Sequence, residues 1–275
     1  MITPLEWQAL LFVPVGAQKH LASAIRLRPD AVILDLEDAV AADAKGAARA
    51  ALRDAQAQLG QAGISCALRI NGPLRHMVDD LTAADLSLLR AVIVPKCEDD
   101  RGLRNAAEVT AGQIALIALI ESPLGLRRLQ QITAVPEVQA LMLGSEDYCA
   151  GLGVHPDKGA LDLVTAELAI AAAPRGLLPI GFPGSIANFR DLDLYAAQIA
   201  KGRDQGMRAV AAIHPAQLPV IRATLAPSEA EVAWAAKVLA SAATQGAVYA
   251  LDGAMIDAPV IARARQITAA AGRKP

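Results

Sequence analysis

Two apolar runs, each stopped by an acidic residue, constrain this chain more than any other feature. Residues 114–120 are aliphatic throughout and give way to Glu121-Ser122-Pro123; residues 138–144 are nearly so and give way to Ser145-Glu146-Asp147. Runs of this kind read as buried parallel strands, because helices cover both faces of such a sheet and the pattern alternates by element, not by residue. At the carboxyl ends of parallel strands side chains converge on the ligand site, where a carboxylate has little to do in packing. Two converging carboxylates suit a hard divalent cation, so Glu121 and Asp147 form a candidate Mg²⁺ pair. From the residues alone two other readings stay open: a solvated strand-end carboxylate for Glu121 and a helix N-cap for Asp147.

Six further runs, 9–13, 31–34, 65–70, 91–94, 177–180 and 209–213, have the same strand-like character. Helical patterns follow them, including a long Ala-rich one near 43–61 that carries Lys45, Arg49 and Arg53 at one-turn spacing, and others near 160–173 and 189–205. Residues 151–156 read as a loop. Eight strand-like runs in 275 residues, each with helix behind it, fit an α/β (β/α)8 TIM barrel better than an open sheet. The tail differs. Pro227-Ser228-Glu229 is a helix-start signature for a helix to about residue 243; Ala247-Val248-Tyr249 and Met255-Ile256-Asp257-Ala258-Pro259 then precede a last helix. The expected division is a barrel over residues 1–226 and a C-terminal helical extension over 227–275.

A formal charge of −2 provides no basic face for nucleic acid or an acidic membrane. The start, Met1-Ile2-Thr3-Pro4-Leu5-Glu6, lacks the basic and apolar regions of a signal peptide, and no apolar run reaches the ~18 residues of a membrane span. Cys66, Cys97 and Cys149 are odd in number and include no CxxC, which argues against a disulfide framework or structural zinc and fits a reducing cytoplasm.

The strand ends are acidic: Asp35, Glu37 and Asp38 after the second run, Glu98 after the fourth, Glu121 and Asp147 after the fifth and sixth. Arg69 is a cation inside the third. Such a mouth repels an anionic substrate unless a divalent cation and an arginine reverse the local field, which points to a metal-chelated 2-oxo acid with its carboxylate paired to Arg69. The plainer alternatives are helix capping for Asp35, Glu37 and Asp38, and a neighbouring carboxylate as the partner of Arg69. His214 reads as a turn residue or a base, and Cys97, with no paired His, as structural. There is no Gly-rich phosphate loop of the GxxxxGK[ST] or GxGxxG type after a strand and no Gly-x-Ser-x-Gly elbow, so a nucleotide cofactor and a serine hydrolase have no sequence support.

Taken in order, Leu11-Phe12-Val13-Pro14, Asp35-Leu36-Glu37-Asp38-Ala39-Val40 with Lys45 and Arg49, Arg69-Ile70-Asn71, Pro95-Lys96, Ile120-Glu121, Gly144-Ser145-Glu146-Asp147, Ile213-His214-Pro215-Ala216-Gln217 and Met255-Ile256-Asp257-Ala258-Pro259 resemble the citrate lyase β-subunit-like group of the HpcH/HpaI aldolase superfamily. The resemblance implies a Mg²⁺-dependent carbon–carbon lyase acting on citryl-, malyl- or citramalyl-CoA-type thioesters. Its partners would be an acyl-CoA and a 2-oxo acid (oxaloacetate, glyoxylate or pyruvate), in a barrel that forms homotrimers or hexamers. It implies Glu121 and Asp147 as metal ligands, Arg69 as carboxylate clamp, and Glu37 and Asp38 as holders of metal-bound water. Gly144, Ser145, Pro95 and Lys96 become substrate-binding residues, and Asp257 an acid that a C-terminal lid brings to a neighbouring subunit's site. The chain departs from the group's usual pattern at Trp7-Gln8 and Val15, along 160–173 where arginines are common, at Gly181-Phe182 where an Asp is usual, and at Ala209-Val210. A pyruvate-type aldolase on free acids, and a partner-dependent β subunit of a citrate lyase complex, are the alternatives.

Overall fold

The computed structural model describes residues 3, 5–245 and 248–272; Met1, Ile2, Pro4 and Ala247 of the stretches named above lie outside them. The chain divides into two compact units, Met1–Ile221 and Arg222–Pro275. Among the described residues, no helix is long and apolar enough to cross a membrane.

The first unit alternates strand and helix: β1 (Ala9–Pro14), α1 (Gln18–Leu27), β2 (Ala31–Asp35), α2 (Lys45–Gln61), β3 (Ser65–Arg69), α3 (Leu74–Ala83), β4 (Ala91–Val94) and α4 (Arg101–Val109). It continues through β5 (Ala115–Ile120), α5 (Pro123–Arg127), α6 (Leu129–Thr133), β6 (Val138–Leu143), α7 (Ser145–Leu152), α8 (Leu161–Ala172), β7 (Leu178–Ile180), α9 (Leu192–Asp204), β8 (Val210–Ala212) and the start of α10 (Gln217–Leu225). The eight strands pair in parallel in the order β7-β6-β5-β4-β3-β2-β1-β8. A parallel bridge between Ile180 and Ala209, with the Gly181 N–H donating to Ala209 O at 2.8 Å, closes the ring into a (β/α)8 barrel. The run at 177–180 yields only a three-residue strand, and helix begins directly after β6, where the sequence shows a loop by residue 151.

Side chains along a strand alternate between faces, and here that parity decides what enters the barrel. Leu10, Ile33, Ala67, Ile93, Ile117, Leu119, Ala140, Met142, Ile180 and Ala211 share one buried cluster inside the ring, joined by Leu5 and Trp7. Two residues further along their strands stand Phe12, Asp35, Arg69, Pro95, Glu121 and Gly144. The same period that fills the core with aliphatics therefore aims five of these inward at the carboxyl end, while Pro95 lines an adjoining recess with Lys96. Ser122, whose Oγ accepts from the Gly125 N–H at 3.2 Å with Pro123 behind it, caps α5 and turns the chain away immediately beyond Glu121.

The second unit holds α11 (Glu229–Ala242), a hairpin of β9 (Tyr249–Leu251) and β10 (Ala254–Ile256), and α12 (Ala258–Ala271). Ser228 and Glu231 form a reciprocal capping box at the start of α11. Ala235, Val238, Ile256 and Ala264 make its small core, and the Arg263 guanidinium lies over the Trp234 ring at 4.5 Å.

Candidate active site

The carboxyl end of the barrel opens into a cavity of about 460 Å³, lined among others by Asp35, Arg69, Glu121, Gly144, Ser145 and Asp147. Asp35 and Arg69 are direct partners in the parallel register of β2 and β3. That adjacency makes a fork: Arg69 Nε donates to Asp35 Oδ1 at 2.8 Å and Nη2 to Oδ2 at 2.5 Å. The remaining nitrogen, Nη1, faces Glu37 Oε2 at 2.9 Å and Asp38 Oδ2 at 3.5 Å, and the guanidinium rests on the Phe12 ring. All three guanidinium nitrogens of Arg69 thus face carboxylates, and only the Nη1 edge, beside the more exposed Asp38, could be shared with a ligand.

The loop after β2 is held from below. Lys45 Nζ donates to Leu36 O and Glu37 O, at 2.8 and 3.0 Å. Arg49 binds the fully buried Asp80, which takes the Asn71 backbone and side-chain N–H groups, and Asn71 Nδ2 also donates to Leu36 O. The motif residues Lys45, Arg49 and Asn71 are therefore the scaffold of the acidic loop.

Glu121 is the buried centre. Its Oε1 accepts from the Lys96 N–H at 2.7 Å. That donor is aimed by a left-handed backbone at Lys96, φ 52°, a conformation that costs a non-glycine residue roughly 1–2 kcal/mol. Lys96 Nζ meanwhile donates to Glu37 Oε1 at 2.8 Å. On the other side Gly144 leaves no space beside the Glu121 side chain. Asp147, exposed in the first turn of α7, brings a second carboxylate within hydrogen-bond reach of Glu121. The helix N-cap is Gly144, not Asp147. Ser145 is buried at the start of the helix, and Glu146 accepts from Ser185 Oγ at 2.6 Å.

These contacts set the protonation. Burial pushes the Glu121 carboxyl up to about 8; the Lys96 N–H opposes the rise, and the carboxylates of Asp147 and Glu37 add to it. Burial also raises Glu37, against the hydrogen bond from Lys96 and the charge of Arg69. Asp38 is more than half exposed. Cys97 is enclosed, its Sγ donating to Val94 O at 3.2 Å, and burial pushes its thiol up to about 12, which fits a structural residue. His214 stands exposed on Phe189, its Nδ1 accepting from the Ala216 N–H. The buried neighbour Gln217 ties the end of β8 to Ile186 O and Asn188 O, so this motif serves a loop junction.

Among the described residues, no group of three or more His, Cys, Asp or Glu is arranged to hold a metal unaided. Three features nonetheless fit a hard cation that keeps several waters. Glu121 and Asp147 are paired carboxylates, and burial, with the second carboxylate beside it, keeps a proton on Glu121. Glu37 Oε2 is buried and makes no hydrogen bond, its charged neighbour being Arg69 Nη1 at 2.9 Å. The mouth collects Asp35, Glu37, Asp38, Glu121, Glu146 and Asp147 against Arg69 and Lys96, an excess of negative charge.

The family described as HpcH/HpaI aldolase/citrate lyase matches residues 8–215. The chain belongs to that family. This HpcH/HpaI chain is 30% identical to a citrate lyase subunit beta-like protein of Deinococcus radiodurans, over 96% of this chain and 97% of the relative. It is 30% identical to a (3S)-malyl-CoA thioesterase of Cereibacter sphaeroides, over 96% and 94%. Among solved structures, protein CitE from Mycobacterium tuberculosis in complex with magnesium, acetoacetate and coenzyme A superposes with a TM-score of 0.81 at 29% identity, covering 97% of this chain and 98% of that one. Membership makes the chain a lyase, and the metal of the solved relative is magnesium.

The barrel brings Glu37, Asp38, Arg69, Lys96, Glu121, Gly144, Ser145 and Asp147 to one mouth, with Pro95 beside Lys96 in an adjoining recess. Asp257 belongs to the second unit, where its Oδ1 accepts from the Val260 N–H at 3.2 Å and caps α12. Sequence reasoning passed over Asp35 as a partner of Arg69, Phe12 beneath it, Ser185, and the apolar wall of Ile180, Phe182 and Ile213. Strand parity and neighbouring register are the signals that reach the first two.

Proposed function

We propose that this protein is a Mg²⁺-dependent carbon–carbon lyase that cleaves or forms a 3-hydroxyacyl-CoA thioester, with a 2-oxo acid and an acyl-CoA as the other side of the reaction. The observation that carries this reading is the pair Glu121 and Asp147 at the barrel's carboxyl end, with Glu121 gripped by the Lys96 N–H and pressed by Gly144. Glu121 and Asp147 would hold the cation. Bound there, Mg²⁺ supplies Lewis-acid polarisation of the oxygen on the carbon being attacked or released.

The chain's own groups do the rest. Glu37, whose Oε2 is ion-paired with Arg69 but makes no hydrogen bond, and Asp38 would accept from water on the bound metal. Arg69 is pinned by Asp35, and its Nη1, which faces Glu37 and Asp38, is the edge that the substrate carboxylate would share with them, a fixed orientation that spares ordering entropy on binding. Gly144, whose own N–H is taken by Ile120 O at 2.9 Å, lets the substrate carboxylate approach the Ser145 N–H at the start of α7, and Pro95-Lys96 shape the rim. Asp257 acts as the acid or base at the thioester carbon, brought by a neighbouring subunit of a trimer or hexamer. Support for that last role is the family motif in which Asp257 stands.

The test is calorimetric titration with oxaloacetate, pyruvate and glyoxylate, with and without Mg²⁺, repeated in the presence of acetyl-CoA and propionyl-CoA. Metal-dependent 2-oxo acid binding that an acyl-CoA strengthens is expected, and Asp147→Ala should abolish it while leaving the fold intact. Binding indifferent to every CoA ester would point instead to an aldolase acting on free acids, and unchanged Mg²⁺ binding in Asp147→Ala would remove the metal assignment.

A further inference from the structure

The charged side chains lining the cavity occupy one arc of the barrel, and the arc of β7 and β8 carries none. Carboxylates and Arg69 come from the ends of β2, β3, β5 and β6. The ends of β7 and β8, neighbours across the closing bridge, contribute Ile180, Phe182, Ile186, Ala211 and Ile213. This wall is rigid. Phe182 is buried and packs edge-to-face on the fully buried Tyr195, with ring centroids 5.0 Å apart. At Gly181 the backbone has φ +136° and an added Cβ would lie 2.9 Å from Leu143 Cβ, so a side chain is excluded there. Among the described residues Arg69 is the only cation lining the cavity, and Asp35 holds two of its three nitrogens.

Resting on the proposed lyase reading, we propose that the 2-oxo acid of this site carries an apolar substituent and no second carboxylate, so that pyruvate and its longer alkyl homologues are preferred to oxaloacetate. A 2-oxo acid offers its carboxylate and keto oxygen to the polar arc, which leaves its substituent for the wall of β7 and β8. An alkyl group loses water there favourably, by roughly fourfold in affinity per buried methylene. A carboxylate in the same place loses its hydration, finds no cationic side chain, and adds to a mouth already rich in negative charge.

Competition calorimetry at saturating Mg²⁺ tests this with glyoxylate, pyruvate, 2-oxobutyrate and oxaloacetate. Affinity is expected to rise from glyoxylate to pyruvate to 2-oxobutyrate, and oxaloacetate to bind at least about tenfold more weakly than pyruvate. Ile213→Arg, at a position 44% exposed and so tolerant of the change, should shift the preference toward oxaloacetate with Mg²⁺ affinity unaltered. Metal-dependent binding in which oxaloacetate equals or exceeds pyruvate would overturn the inference and leave the lyase reading standing. Indifference to the 2-oxo acid substituent, with sensitivity to acyl chain length on the CoA ester, would assign the wall to the acyl group and also overturn it. Absence of any metal-dependent 2-oxo acid binding would remove both.

Discussion

Gly144 and Glu121 are packed so closely that a Cβ built on Gly144 would lie 2.8 Å from both the Cβ and Oε2 of Glu121. The glycine's φ of −95° is one that any residue adopts, so space and not conformation requires it. Gly144→Ala should therefore displace the Glu121 carboxylate. Overpacking of this kind costs about 1–3 kcal/mol. Mg²⁺ affinity should fall at least about tenfold, as expected when a ligand leaves its productive geometry. Calorimetric Mg²⁺ titration beside a urea unfolding curve measures both, and wild-type affinity in the variant would count against Glu121 as a ligand.

The raised pKa of Glu121 makes stability and metal binding depend on pH with opposite signs. Between the ordinary 4.5 and about 8, folded Glu121 keeps a proton that the unfolded chain has released. The folded state then binds more protons, so without metal stability falls as pH rises through that window, by at most about 1.4 kcal/mol per pH unit. Glu37, also raised, contributes with the same sign. Mg²⁺ must displace the Glu121 proton, so its affinity should rise with pH over the same range. Unfolding curves at several pH values, in chelator and in saturating Mg²⁺, should show a slope that the metal flattens and that Glu121→Gln reduces. Equal slopes in all three would contradict the assignment.

Asp35 should matter more for stability than its place in the acidic loop suggests. Its two oxygens take the Arg69 fork and the Glu37 N–H, and its side chain is almost entirely buried. Asp35→Ala leaves a largely buried guanidinium with half its partners, a loss of about 3–5 kcal/mol. Asp35→Asn keeps the shape and should cost less. Urea unfolding of both variants is the check, and an Asp35→Ala protein as stable as wild type would show that Glu37 and Asp38 suffice to hold Arg69.

What the sequence made legible follows from which signals are local. Long aliphatic runs announce β5 and β6, and the acidic residue after each is visible without knowing its neighbours. The Asp35–Arg69 fork is not local: the residues are far apart in sequence and meet only because β2 and β3 pair in register. The sequence offers a helix start capped by Asp147, whereas α7 begins at Ser145 with Gly144 as its N-cap, because Ser145-Glu146-Asp147 resembles a turn as much as a first helical turn. Gly144 was legible as a motif residue, but the reason for it is a contact with Glu121, on the neighbouring strand end. The apolar wall was the least visible, because Ile180, Phe182 and Ile213 are hydrophobic residues beside short strands and read as core.

Asp257 carries two separable expectations. As the N-cap of α12 its carboxylate accepts from the Val260 N–H, and losing such a cap costs about 1 kcal/mol. As the proposed acid in the chemistry, its removal should lower turnover by about 10²–10⁴-fold, the usual contribution of a positioned acid or base. Alanine removes both properties and so tests neither cleanly. Serine is an equally good cap without an ionisable proton. Asp257→Ser should therefore unfold within about 0.5 kcal/mol of wild type, the range of a change that keeps the cap. It should bind Mg²⁺ normally and still lose turnover, whereas Asp257→Ala loses stability as well. Turnover measured beside calorimetric Mg²⁺ affinity separates the outcomes. An active Asp257→Ser protein would leave Asp257 a structural cap, and a parallel loss of metal affinity would place its effect in coordination and not in proton transfer.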